Sequence, residues 1–224
     1  MKQFSILAFT LLFIQISSGQ IGLELATTHH NLNSEASNPV SGNNLDDAYQ
    51  SFELGINYWL RLKNYRLEFL PGVKLGFGQN KVAIDNIQDL KFNELTAQIN
   101  VTTQIYPFSF KDDCNCPTFK KTGNFFTKGF HFIIQPAYIF SHRSFTPETE
   151  TYLNNQHLFA FGLGAGLDFG LSKLWTLSPS IIFAPVFGDH YLSQEVDGSR
   201  TSVTHHALSI GLKLMYRRDY KKRY

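Results

Sequence analysis

Beyond its N-terminal segment the sequence has no apolar run long enough to be a transmembrane helix, and its mean hydropathy is only -0.16. A helical span needs about 20 consecutive apolar residues, so a bundle of membrane helices is excluded. If the chain crosses a membrane, it must do so with strands, whose alternating apolar and polar residues keep the average low. Cysteine is scarce as well, with two residues, Cys114 and Cys116. Neither follows the N-terminal apolar run, so a lipoprotein signal is excluded. No pair among the 8 histidines has a strong metal-ligand spacing, so no metal or cofactor is expected.

The chain starts Met1-Lys2 and continues with an apolar run from Phe4 to Ile16, interrupted by Ser5, Thr10 and Gln15. Ser17, Ser18 and Gly19 then offer the small residues that a signal peptidase reads. This is the pattern of an export signal over residues 1–19, cleaved before Gln20. As a membrane anchor the run is too short. Export also argues against nucleic acid as a partner, despite the basic C-terminal tail over residues 217–224.

The mature chain is organised around the stretch from Phe52 to Phe77. Phe52, Leu54, Ile56, Tyr58, Leu60 and Leu62 are separated by Glu53, Gly55, Asn57, Trp59 and Arg61. After Lys63-Asn64 the alternation resumes, with Leu67, Phe69, Val73, Leu75 and Phe77 on one face and Arg66, Glu68 and Lys74 on the other. A period of two is the signature of strands, and Lys63-Asn64 reads as a two-residue hairpin turn. Each arm has the length of a tilted strand that crosses a bilayer. With that turn Glu53 would pair with Lys74 and Arg61 would lie opposite Arg66.

Further strands are expected at Ile21–Ala26, Leu95–Ile105, Phe130–Phe140, Phe159–Phe169, Trp175–Phe187 and Leu208–Tyr216. Polar loops are expected at Thr27–Ala48, Gly78–Lys91, Ser141–Gln156 and Gly188–Ser202, and a short turn at Gly170–Lys173. The fold class is therefore all-β, a transmembrane antiparallel up-and-down barrel of about eight strands. It forms one domain over residues 20–224 with an insert at 106–128 and the basic tail. With both termini in the periplasm, the four polar loops fall outside the cell. Pro71, Pro136 and Pro179 sit on the lipid-facing register, where a local bulge would absorb each missing hydrogen bond.

Inward charges in a barrel this narrow must pair with one another. Glu53, Arg61, Arg66, Glu68, Lys74, Asp168 and Lys213 are expected to form that network. Gly162, Gly164 and Gly166 would leave room for Trp59 or an arginine reaching across. His29, His30, His142, His157, His190, His205 and His206 fall in or beside the outer loops and are expected to be solvated. His206 and Ser209 are close in sequence but alternate onto opposite faces, which disfavours a rim-type hydrolase and leaves no catalytic residue to name. Cys114 and Cys116 form a possible disulfide in the insert. The periplasmic side carries most of the basic residues, which suits anionic lipid headgroups or a periplasmic partner.

With its signal segment, its hairpins and the glycine-alternating strand Phe-Gly-Leu-Gly-Ala-Gly-Leu-Asp-Phe (161–169), the chain resembles the small outer-membrane β-barrel family, OmpA-type barrels among them. The resemblance spans essentially the whole mature chain and rests on pattern. It implies the fold and an outer-membrane location rather than a function. The leading expectation for function is a non-enzymatic structural or partner-binding role in the envelope, with outer-membrane lipid and a periplasmic or extracellular protein as partners. The alternatives are a narrow channel, an accessory subunit in transport or secretion, and, less favoured, a lipid-modifying barrel enzyme.

Overall fold

A computed structural model describes residues 20–35, 46–62, 66–84, 87–109, 129–146, 152–172, 174–188, 195–196, 199–200 and 202–216. The segment 1–19, both cysteines, residues 110–128 of the insert and the tail 217–224 lie outside the described residues. Eight barrel strands follow in chain order. They are β1 Ile21–Glu35, β2 Asp46–Tyr58 with a continuation at Leu60–Arg61, β3 Leu67–Ile84 and β4 Ile87–Ile105. They continue as β5 Phe130–Thr146, β6 Tyr152–Leu167 with a continuation at Phe169–Gly170, β7 Trp175–Gly188 and β8 Ser202–Tyr216. Each pairs antiparallel with the next, and β8 pairs with β1, so the sheet closes without an edge.

The register fixes the shape. From Gly22 the pairings run through Asn57, Gly72, Asn100, Ala137, Ala160, Val186 and His205. They return to β1 at Leu32, ten residues beyond the start at residue 22. Strands with that stagger must tilt by roughly 35–45° to the barrel axis. A barrel of eight strands has an interior just wide enough for side chains to fill.

Strand pleating sends alternate side chains outward, and the outward set is apolar. Leu54, Ile56, Ile99 and Leu163 each expose more than half of their surface. Aromatic residues bound this belt at both ends. Near the termini Tyr58 and Tyr216 both lie opposite Ile21, and the Trp175 and Tyr216 rings are 5.0 Å apart. At the other end Phe52 pairs with Phe77, and Tyr138, Phe159 and Phe187 are successive cross-strand partners. An apolar band between two aromatic girdles is the exterior of a transmembrane β-barrel.

Three expectations need correction. The strands are longer than the hydrophobic pattern suggests: β1 runs on to Glu35, β3 to Ile84 and β5 to Thr146. Much of what reads as loop is therefore sheet continuing past the apolar belt. The central hairpin is also two residues out of the expected register. The backbone N–H of Leu62 donates to the carbonyl of Leu67 at 3.1 Å, so Leu62 stands opposite Leu67 rather than Tyr65. Glu53 accordingly pairs with Gly76, Gly55 with Lys74, and Arg61 with Glu68 rather than Arg66. A slip of two preserves the face of every side chain, whereas a slip of one would have exchanged them.

The prolines do not create bulges. Pairing of β3 with β2 stops at Asn57↔Gly72 and resumes at Leu60↔Phe69 in unchanged register, with Pro71 in the gap. Pro136 sits in a like gap toward β4, and Pro179 toward β6. In an antiparallel sheet both backbone groups of a residue face the same neighbour, so a proline interrupts one ladder and leaves the other intact. Pro71 still pairs with Val101 and Pro179 with Leu212. Among the described residues, the register shifts between Val82 and Ile84, away from the prolines.

Candidate functional site

The inward side chains fill the lumen in three tiers. The middle tier is an ion network. Lys74 on β3 places Nζ 2.7 Å from Glu24 Oε1 on β1 and 3.6 Å from Glu53 Oε2 on β2. Lys213 on β8 lies 3.5 Å from the other oxygen of Glu24. Two cations therefore balance two carboxylates across four strands. Thr28 donates to Glu53 at 2.7 Å and contacts Ser209 at 2.7 Å, extending the network. The Glu53–Lys74 contact is diagonal between strands rather than direct, a consequence of the shifted hairpin.

At the terminal end two acidic residues meet aromatic donors. Trp59 Nε1 donates to Glu68 at 2.7 Å, and the Tyr106 hydroxyl lies 2.7 Å from Asp168 and 3.2 Å from Glu68. Ser178 also donates to Asp168. The Arg66 guanidinium stacks 4.0 Å above the Tyr106 ring, a cation–π contact. His131 Nδ1 bonds the Gly129 carbonyl at 3.0 Å and lies 3.8 Å from Asp168, while its Nε2 meets the Gln104 amide at 3.1 Å. Trp59, Leu70 and Met215 form the apolar part of this floor.

The third tier, at the loop end, joins residues that sequence spacing does not connect. Arg143 on β5 bonds Glu94 on β4 through Nη2 at 2.7 Å and Nε at 2.8 Å, and donates to the Tyr49 hydroxyl on β2 at 3.0 Å. His30 lies 3.0 Å from His205 and 2.9 Å from Ser51, and stacks on Tyr49 with centroids 4.4 Å apart. His30 and His205 are buried. They are lumen residues, not solvated loop residues, and His131 is buried too.

The structure thus divides the seven sequence-predicted charges. Glu53, Lys74 and Lys213 meet in the middle tier, together with Glu24. Glu68, Arg66 and Asp168 lie in the floor around Tyr106, and Arg61 is opposite Glu68 in the ladder. Sequence reasoning missed Glu24, Tyr49, Glu94, Tyr106 and Arg143 as lumen partners. Only the inward register of each strand carries that signal. The glycines of β6 do not make room for Trp59. A Cβ at Gly162 would meet Ile182, one at Gly164 the backbone of Ile181, and one at Gly166 the His131 ring. His206 faces outward and Ser209 bonds Thr28 inside, so that pair forms no dyad.

No family model matches the sequence, and no curated protein matches it. Solved structures do. Ail, the attachment invasion locus protein of Yersinia pestis, is 8% identical with a TM-score of 0.47, covering 88% of this chain and 99% of that one. Neisserial surface protein A is 8% identical at a TM-score of 0.45, covering 87% and 96%. The outer membrane protein OprG from Pseudomonas aeruginosa is 12% identical at 0.43, covering 89% and 97%. The chain is an all-β, closed antiparallel barrel of eight strands with the apolar exterior of a transmembrane barrel.

Proposed function

We propose that this chain is exported by its N-terminal segment to the outer membrane, where it serves a non-enzymatic structural or partner-binding role in the envelope. The observation that carries this reading is the pairing of an apolar exterior with a lumen closed by its own side chains. Arg143, Tyr106, Leu32, Leu70, Ile133, Leu158 and Met215 are fully buried inside a barrel whose outward leucines and phenylalanines are exposed. Lumen acids and bases are bound to one another and to phenol, hydroxyl or indole donors, which is the arrangement of a stabilising core. Interactions with a partner would then fall to the rims and to the sheet that extends past the belt at the loop end.

Expression of the full chain in a Gram-negative host, followed by fractionation, tests the location. Recovery with the outer membrane is expected, and recovery in the soluble periplasm would overturn it. Planar-bilayer recording separates this role from the narrow channel: the filled lumen gives no steady ion conductance, whereas a channel gives stable unitary steps.

A further inference from the structure

Four histidines face outward along one arc of the loop-end rim, where the apolar belt stops. His142 on β5 pairs with Asn155, and His157 on β6 pairs with Phe140, so the two are diagonal neighbours. Phe159, two residues from His157, pairs with Phe187 on β7, and Pro185, two residues from Phe187, pairs with His206 on β8. His206 pairs in turn with Asn31 on β1, two residues beyond His29. The arc is therefore continuous with the aromatic girdle. His29, His157 and His206 are exposed and His142 is half-buried.

Two of the rings are held by neighbours. His142 Nδ1 meets the Asn155 side-chain oxygen at 2.6 Å, and His157 Nδ1 meets the Tyr138 hydroxyl. An amide oxygen only accepts, so Nδ1 of His142 carries a proton. When that ring is neutral its Nε2 is a bare lone pair, and when it is charged Nε2 becomes a donor. Phe183 stacks on His206 at 5.6 Å, and Phe140 packs against His157 at 5.3 Å. Among the described residues the direct cross-strand partners of the four rings are Asn31, Gln50, Leu95, Phe140, Asn155, Pro185 and Leu208, none of them charged. Aromatic flanks and donors at the edge of an apolar belt match a lipid headgroup, whose chains lie against the belt and whose phosphate reaches the rim.

We propose that this histidine arc binds the phosphate of membrane lipids, and that it does so when the imidazoles are protonated. The inference rests on the transmembrane reading above. A protonated ring offers N–H donors at both nitrogens where a neutral ring offers one, so acid favours the contact and base weakens it. A phosphate then replaces solvent with charge-assisted hydrogen bonds from several rings at once.

The test refolds the full chain into phosphatidylcholine vesicles with and without phosphatidic acid, which presents a phosphate monoester. Flotation is measured first, then the urea unfolding midpoint at acidic and alkaline pH. Phosphatidic acid is expected to raise the midpoint under acid conditions only. That rise should be lost in the variant carrying His29→Gln, His142→Gln, His157→Gln and His206→Gln. A rise that survives in this variant, or no lipid-dependent rise in the unsubstituted chain, overturns the proposal. Failure to float with phosphatidylcholine alone overturns the transmembrane reading and this proposal with it. Histidine ring NMR signals of the unsubstituted chain give an independent readout. Phosphatidic acid should shift the signals of the four outward rings and leave buried His131 unmoved, and the opposite pattern contradicts the arc.

Discussion

The hydroxyl of Tyr106 donates to the carboxylate of Asp168 at 2.7 Å, tying the end of β4 to β6 across the floor of the lumen. The same oxygen is 3.2 Å from Glu68 on β3. One phenol therefore sits between two buried acids, with Arg66 over its ring. Tyr106→Phe keeps the ring and its contact with Arg66 but removes the donor. The expected cost is about 1–3 kcal/mol, the desolvation penalty of a buried acceptor left without its partner. Urea unfolding in lipid vesicles measures it, and a change below about 0.5 kcal/mol would mean the floor does not depend on this bond.

Lys74 is the hub of the middle tier, so its removal should be felt most. Lys74→Met leaves Glu24 and Glu53 facing each other without their shared cation. Breaking a buried pair in this way costs about 3–5 kcal/mol. Adding Glu24→Gln to that variant should restore part of the loss, because one stranded charge disappears. Additive effects in this double-mutant cycle would show that the two side chains are not coupled.

The outward face is tested by a charge. Leu163 lies within the belt and Gln50 near its loop-end rim, both facing outward. Leu163→Arg should destabilise the folded chain in a bilayer by about 2–4 kcal/mol and Gln50→Arg by about 0–1 kcal/mol, following the depth dependence of charge on a lipid face. Equal costs at the two positions would place the belt elsewhere.

Close strand packing makes a further distinction. A methyl at Gly164 would run into the backbone of Ile181, which cannot move without opening the β6–β7 ladder. A methyl at Gly211 would meet Ser180 Oγ at 3.4 Å, an ordinary contact. Gly164→Ala is expected to cost about 1–3 kcal/mol, as overpacking does. Gly211→Ala should be neutral or slightly stabilising, because the folded chain can accept the extra atom. Unfolding midpoints of the two variants check the order.

The strands inside the belt were legible because one face is apolar and the other polar, as Leu95 to Thr102 shows without a break. Past the belt the contrast disappears. Thr27 to Glu35 reads as loop because polar residues occupy both faces, Thr27, His29 and Asn31 on one and Thr28 and His30 on the other, yet the ladder from β8 continues along it to Glu35. The face of each residue in the central hairpin was also legible, but its register was not. Lys63-Asn64 looks like a complete turn, while the Leu62–Leu67 bond places the closure farther out. The Glu94–Arg143–Tyr49 cluster draws on β4, β5 and β2, so it exists only once three registers are fixed. His30 and His205 were hidden for the same reason: their contact spans 175 positions of sequence.

The central claim is that the apolar face of this barrel meets lipid. Single cysteines placed from Leu95 to Gln104, in a background with Cys114→Ser and Cys116→Ser, can carry a fluorophore read by a lipid-confined quencher. Quenching should alternate with a period of two, strong at Leu95, Ala97, Ile99 and Val101 and weak at Thr96, Gln98, Asn100 and Thr102. The opposite phase, or no alternation, would contradict a transmembrane barrel and indicate one that turns its apolar face inward.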